Sequence, residues 1–101
     1  MGSRIDLHNK LKELFNDGNV YYQPPENTKM IYPCIRYMKD NVDSKFADDS
    51  KYTLTTRYEI IVLDKNPDNK VISKILNLPQ TSYGSHYTSD GLNHDVIYIY
   101  Y

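Results

Sequence analysis

The residues of this chain that can do chemistry are few and scattered: Cys34, His8, His86, His94 and the adjacent carboxylates Asp48 and Asp49. His86 and His94 flank Asp90-Gly91, so a hairpin turn there sets both imidazoles on neighbouring strands, with Asp90 or Asp95 close by. Zinc sites announce themselves through tight paired spacings of Cys and His, and this pair has none. The two imidazoles therefore read as hydrogen-bonding groups beside a turn. Cys34 follows a proline and has no histidine near it in sequence; a cysteine nucleophile would need a partner such as His94 brought to it in space. A buried cysteine without that partner is a small, inert hydrophobe. His8 lies among polar residues of the first helix, where solvent exposure accounts for it. Asp48 and Asp49 sit in a polar stretch and lack the desolvation that tunes a general acid. The glycines are isolated, so no phosphate-cradling loop is formed. Nothing in the sequence assembles a nucleophile, a base and an orienting partner. The expectation is a protein that is not an enzyme and uses no metal and no cofactor.

The elements that must position these residues centre on 51–79, KYTLTTRYEIIVLDKNPDNKVISKILNLP. Residues 52–64 read as one long strand, rich in the β-branched and aromatic types that pack on a pleated surface. With a period of two, Tyr52, Leu54, Thr56, Tyr58, Ile60 and Val62 share a face. The other face is polar at Thr53, Thr55, Arg57 and Glu59 and turns apolar at Ile61 and Leu63. Asp64-Lys65-Asn66-Pro67-Asp68-Asn69 breaks the strand, because Asn-Pro cannot continue a ladder and Asp or Asn side chains cap the next element. Val71, Ile72, Ile75 and Leu76 then fall at helical spacing, and Pro79 ends that helix.

Before this unit, 3–16 reads as a helix, with Ser3 and Asp6 as a capping box. Its apolar stripe is Ile5 or Leu7, then Leu11, Leu14 and Phe15, and Gly18 is the expected left-handed residue after it. Residues 20–23 form a short strand that Pro24-Pro25 confines to a sheet edge. Residues 32–39 form another strand. The polar run 40–50, DNVDSKFADDS, reads as a loop, mobile in the free monomer and ordered on assembly. A weaker strand lies around Tyr83 and Tyr87, and Asp90-Gly91 supplies the positive φ values of a tight hairpin. The last strand, 92–101, is apolar on both faces, so it is either central or covered by another subunit. The element order is α-β-β-β-α-β-β: a single α+β domain over 1–101, a two-layer sandwich of a mostly antiparallel four- to five-stranded sheet with two helices on it. The core should comprise Leu11, Leu14, Phe15, Leu54, Tyr58, Ile60, Val62, Ile72, Ile75 and Leu76.

Composition narrows the function classes. A net charge of −1 spread evenly along the chain is not the basic footprint of direct nucleic-acid recognition. No apolar run approaches the ~20 residues that span a bilayer. A single cysteine makes no internal disulfide, so folding in a cytoplasm is expected. Eleven tyrosines against two phenylalanines and no tryptophan suit half-buried strands and protein interfaces alike.

Over 30–101 the chain resembles the small tail-completion proteins of long-tailed bacteriophages, also described as tail-terminator or head–tail joining proteins. The resemblance rests on Tyr32-Pro33 opening a strand, the Asp64-Lys65-Asn66-Pro67-Asp68 turn and Leu78-Pro79 ending a helix. It continues through Asp90-Gly91-Leu92-Asn93-His94-Asp95 to the terminal Tyr100-Tyr101. It implies an α/β fold and a structural role in the virion: a homo-oligomeric ring, often a hexamer, made in the host cytoplasm. Such a ring terminates the tail tube at the head–tail junction and receives the head connector; no catalytic residues come with it. Interface residues are then expected on a mixed-charge rim, Lys39, Asp40, Asp43, Lys45, Phe46, Asp48, Asp49 and Lys51, and on Tyr98, Tyr100 and Tyr101. A small non-viral adaptor or protein-binding module using the same sheet is the alternative function. A small hydrolase built on Cys34 or on His86 and His94 is the third.

Overall fold

The computed structural model describes residues 4–16, 18–25, 29–46 and 52–101, with the backbone alone at 43–46 and 52–54. The alternation of apolar residues builds two 13-residue strands, β2 (Cys34–Phe46) and β3 (Tyr52–Asp64), paired antiparallel along their whole length. Around them lie α1 (Arg4–Leu14), β1 (Asn19–Tyr22), α2 (Val71–Leu76), β4 (Thr81–Ser89) and β5 (Leu92–Tyr100). The sheet is open, in the order β1-β2-β3-β5-β4, with β1 parallel to β2 and every other pair antiparallel. This is the expected α+β architecture, with β1 at an edge as Pro24-Pro25 requires.

One stretch departs from its sequence reading. Residues 40–46 are not loop: β2 runs on through them, with one irregularity between Lys39 and Asn41. Their polarity misled: Asp40, Asn41 and Val42 are exposed, and a strand wet on both faces needs no apolar alternation in order to pair. Residues 47–51 lie outside the described residues.

β3 carries the core on the face read from its alternation. Tyr58, Ile60 and Val62 join Ile35, Tyr37, Ile97 and Ile99 from the sheet, Leu7 and Leu11 from α1, and Val71 and Ile75 from α2. Leu14, Phe15, Ile72 and Leu76 pack half-buried against this cluster, and the side chain of Leu54 lies outside the described residues. The helical stripe begins at Leu7, since Ile5 is 54% exposed. Ile61 and Leu63 point to the opposite face, where a second cluster forms with Cys34, Leu92 and Val96. Both helices contribute to the first cluster and neither to the second.

The connections follow local chemistry. The Asp64 carboxylate accepts from the Asn66 amide (3.0 Å) and from the Asn69 side chain (2.8 Å), Asn66 accepts from the Asp68 amide, and Asn69 Oδ1 accepts from the Val71 amide (2.9 Å). That ladder of Asx turns starts α2 where Lys70 supplies no cap. Asp90 and Gly91 both have positive φ, as a two-residue hairpin turn demands. After α1 the left-handed residue is Asn16, not Gly18. Gly18 is small for a different reason: a Cβ there would collide with the Phe15 ring. Ser3 lies outside the described residues.

Candidate functional site

Strand register decides which of the chemically capable residues meet. Cys34 pairs with Leu63, and Leu63 pairs with His94, so Cys34 and His94 share one face with a whole strand between them. Two strand spacings put their backbones about 10 Å apart. The Cys34 thiol is fully buried, and that burial pushes its pKa up to about 11, against a smaller lowering by Arg36. It is a thiol, not a thiolate, at neutral pH. His94 stacks flat on Tyr87, with ring centroids 4.6 Å apart, and its Nδ1 donates to the Leu92 carbonyl at 3.1 Å.

His86 pairs with Asp95 and so points to the other face of the hairpin from His94. Its Nε2 donates to Asn93 Oδ1 at 3.0 Å. The two imidazoles therefore cannot close on one ion. Among the described residues, no group of three His, Cys, Asp or Glu side chains is placed to hold a metal.

A polar cluster that the sequence did not announce joins α1 to the sheet. Tyr37, fully buried, carries its hydroxyl up to the helix, accepting from Arg4 at 3.3 Å and donating to His8 Nδ1 at 2.7 Å. The Arg4 guanidinium also lies 4.4 Å over the Tyr22 ring. Burial, then the charges of Arg4 and Lys12, hold the His8 pKa below its ordinary value. His8 is thus a half-buried structural partner, not the solvated surface residue its neighbours suggested. The only available signal was its position one residue after Leu7 on the buried stripe.

A second such pairing lies on β4 and β5. Asp95, the one charged residue buried in the core among the described residues, accepts from the Tyr83 hydroxyl at 2.7 Å, and that bond raises the Tyr83 pKa to about 12.

The expected rim and tyrosine cluster are distributed unequally. Asp40 is exposed and ion-paired: both Nε and Nη2 of Arg57 bond to its carboxylate. Lys39 is exposed. Asp43, Lys45 and Phe46 belong to β2 with only their backbone described, and Asp48, Asp49 and Lys51 fall outside the described residues. Tyr98 lies half-buried against the second cluster beneath the Arg57 guanidinium, and Tyr101 packs on the first. β5 runs between β3 and β4, so its two apolar faces are accounted for by a central position. Tyr100 and Tyr101 also line an apolar groove of about 360 Å³ with Thr55, Leu78, Pro79 and Ile99.

What the sheet does leave open is backbone. β1 reaches only Tyr37 on β2, with Gln23 extending to the Lys39 amide through its side chain. On the other side the β5 ladder reaches Arg57 of β3, and the Tyr101 amide just beyond it donates to the Thr56 carbonyl. Among the described residues, 42–46 and 52–55 therefore project as a two-stranded arm, and the molecule measures 52 × 30 × 24 Å. At the far edge β4 runs nine residues, TSYGSHYTS, exposed from its second residue on and with neither Lys, Arg, Asp, Glu nor Pro among them. Natural edges are usually blunted by charge or proline, and this one has only the irregularity at Gly84. No family model matches this chain, and no curated protein matches it at a significant level. Among the described residues, no helix is long and apolar enough to cross a membrane.

Proposed function

We propose that this chain is a structural subunit of a phage virion, forming a ring that terminates the tail tube and joins it to the head connector. It acts by association and turns over nothing. The observation supporting this reading is the pair of unlike open surfaces, a projecting two-stranded arm and a long neutral sheet edge. A cyclic ring built head-to-tail needs two different patches on every subunit, neither of them self-repelling. The resemblance over 30–101 supplies the setting.

The test uses the full chain and a tail-tube protein of a long-tailed phage. Mixed with polymerised tube, the chain should cap tube ends as rings visible by electron microscopy and halt further tube growth. A chain that remains monomeric, leaves tube growth unchanged and has no portal or tube genes as neighbours would overturn the proposal. The adaptor reading draws on the sheet face away from the helices, where the Arg36 Nε is buried with no hydrogen-bond partner among the described residues. Binding to a non-viral partner through that face, with no effect on tubes, would favour it.

A further inference from the structure

Two hydrogen bonds near the C-terminus fix which backbone groups of the edge are free. The Tyr100 amide donates to the Gln80 carbonyl, and the Tyr101 amide to the Thr56 carbonyl. Groups alternate along antiparallel strands, so even-numbered residues of β5 face β4 and odd-numbered ones face β3. With the observed register, Thr81, Tyr83, His86 and Thr88 turn their N–H and C=O groups outward from the sheet. The same alternation applies to β2, where the Gln23 amide donates to the Tyr37 carbonyl at 2.9 Å. Past the irregularity after Lys39, the outward residues are Val42, Ser44 and Phe46.

We propose that subunits join by strand addition, the β2 edge of one copy's arm lying along the β4 edge of the next. The partner is a second copy of this chain, and the proposal rests on the ring reading above. The irregularity at Gly84 leaves 85–89 as the uninterrupted part of the β4 edge, five residues long, and 42–46 of the arm is also five residues. A two-stranded ribbon is marginal in water by itself, and a third strand is what stabilises it. The arm carries Asp43 and Lys45, one of each sign, and 85–89 carries no acidic or basic residue apart from His86, so the contact meets no like-charge repulsion. An added five-residue strand covers about 17 Å of edge. A contact of that length buries far less area than the ~1,200 Å² of a stable pair, so single contacts are weak, and ring closure, with two contacts per subunit, holds them.

Isotopically labelled full chain, raised from micromolar to millimolar concentration, provides the test. Concentration-dependent shifts should alternate along β4, large at the amides of His86 and Thr88 and small at Tyr87. Thr88→Pro and Ser44→Pro each remove one outward N–H and should each abolish the association; Thr88→Lys and Ser44→Lys do the same by charge should a proline disturb folding. Mixing an edge-blocked with an arm-blocked chain should restore dimers and nothing larger, because each retains the half that the other lost. If Ser44→Pro still dimerises while Thr88→Pro does not, β4 pairs with its own copy and the arm has no part. If association survives both blocks, strand addition is overturned while the ring keeps its support from the tube experiment. A wild-type chain that stays monomeric at millimolar concentration overturns strand addition as well, and the capping of tubes then decides the ring reading separately.

Discussion

The two faces of this sheet are closed by different means. On one, α1 and α2 cover Tyr37, Tyr58, Ile60, Val62, Ile97 and Ile99, a wide apolar field with helices as its lid. On the other, neither α1 nor α2 packs on Cys34, Ile61, Leu63, Leu92 and Val96, which are nonetheless buried. Their cover is side chains of the sheet and its connections: Tyr21, Met30 and Tyr98 pack against them, and Arg57 extends over Tyr98. Tyrosine suits this task, since its ring shields apolar neighbours while its hydroxyl stays wet. The contrast gives the tyrosine-rich composition a structural use, and it places the open positions of the molecule at its backbone edges.

The largest difference between the faces should come from a pair of truncations on β3. Ile60→Ala, under the helices, should cost about 2–5 kcal/mol in chemical denaturation, while Ile61→Ala on the helix-free face should cost about 2, because that side has fewer packed layers to leave empty. Equal losses would show that both faces are equally closed.

Gly84→Ala probes the side-chain lid. A Cβ there would stand 2.7 Å from the Tyr98 ring and 3.1 Å from the Val96 carbonyl, so a loss of about 1–3 kcal/mol is expected. The double variant Gly84→Ala/Tyr98→Ala should recover part of the clash term, which a double-mutant cycle would detect. Tyr83→Phe takes the hydroxyl from buried Asp95 and should cost about 1 kcal/mol, the group being half in water already.

The smallest effect is a pH dependence on the helix-covered face. The His8 pKa is lowered in the folded chain, so between that value and the ordinary 6.5 the unfolded chain binds the extra proton. The contribution is fully present above pH 6.5 and is lost as pH falls through the lowered folded value. Unfolding free energies measured from pH 8 to 5 should fall along this limb in the wild type and less steeply in His8→Gln. Equal slopes would remove His8 from the linkage.

Much of the fold was legible because it depends on local chemistry. The β3 alternation, the Asp64–Asn69 turn, the Asp90-Gly91 hairpin and the edge position forced by Pro24-Pro25 follow from rotamer, φ and hydrogen-bond constraints that a residue carries with it. The candidate surfaces were legible only in part. Residues 40–46 read as loop because polarity was taken for irregularity, when a polar run can pair as a strand as readily as it can form a loop. The pairing of Asp40 with Arg57 was not legible, because the two are remote in sequence and become adjacent only through the β2–β3 register.

By itself, then, the sequence determined the element order, the buried face of β3 and the two sharp turns, since each is settled within a few residues of chain. Tertiary structure alone decided that His86 and His94 point to opposite faces, that Cys34 is separated from His94 by Leu63, and that His8 bonds Tyr37. It also decided that β5 is central and that, among the described residues, the outer edges of β4 and of the arm have no strand beside them. Strand order and register are set by the sum of long-range pairings. A one-residue slip would exchange every face, and no short stretch of sequence encodes that sum.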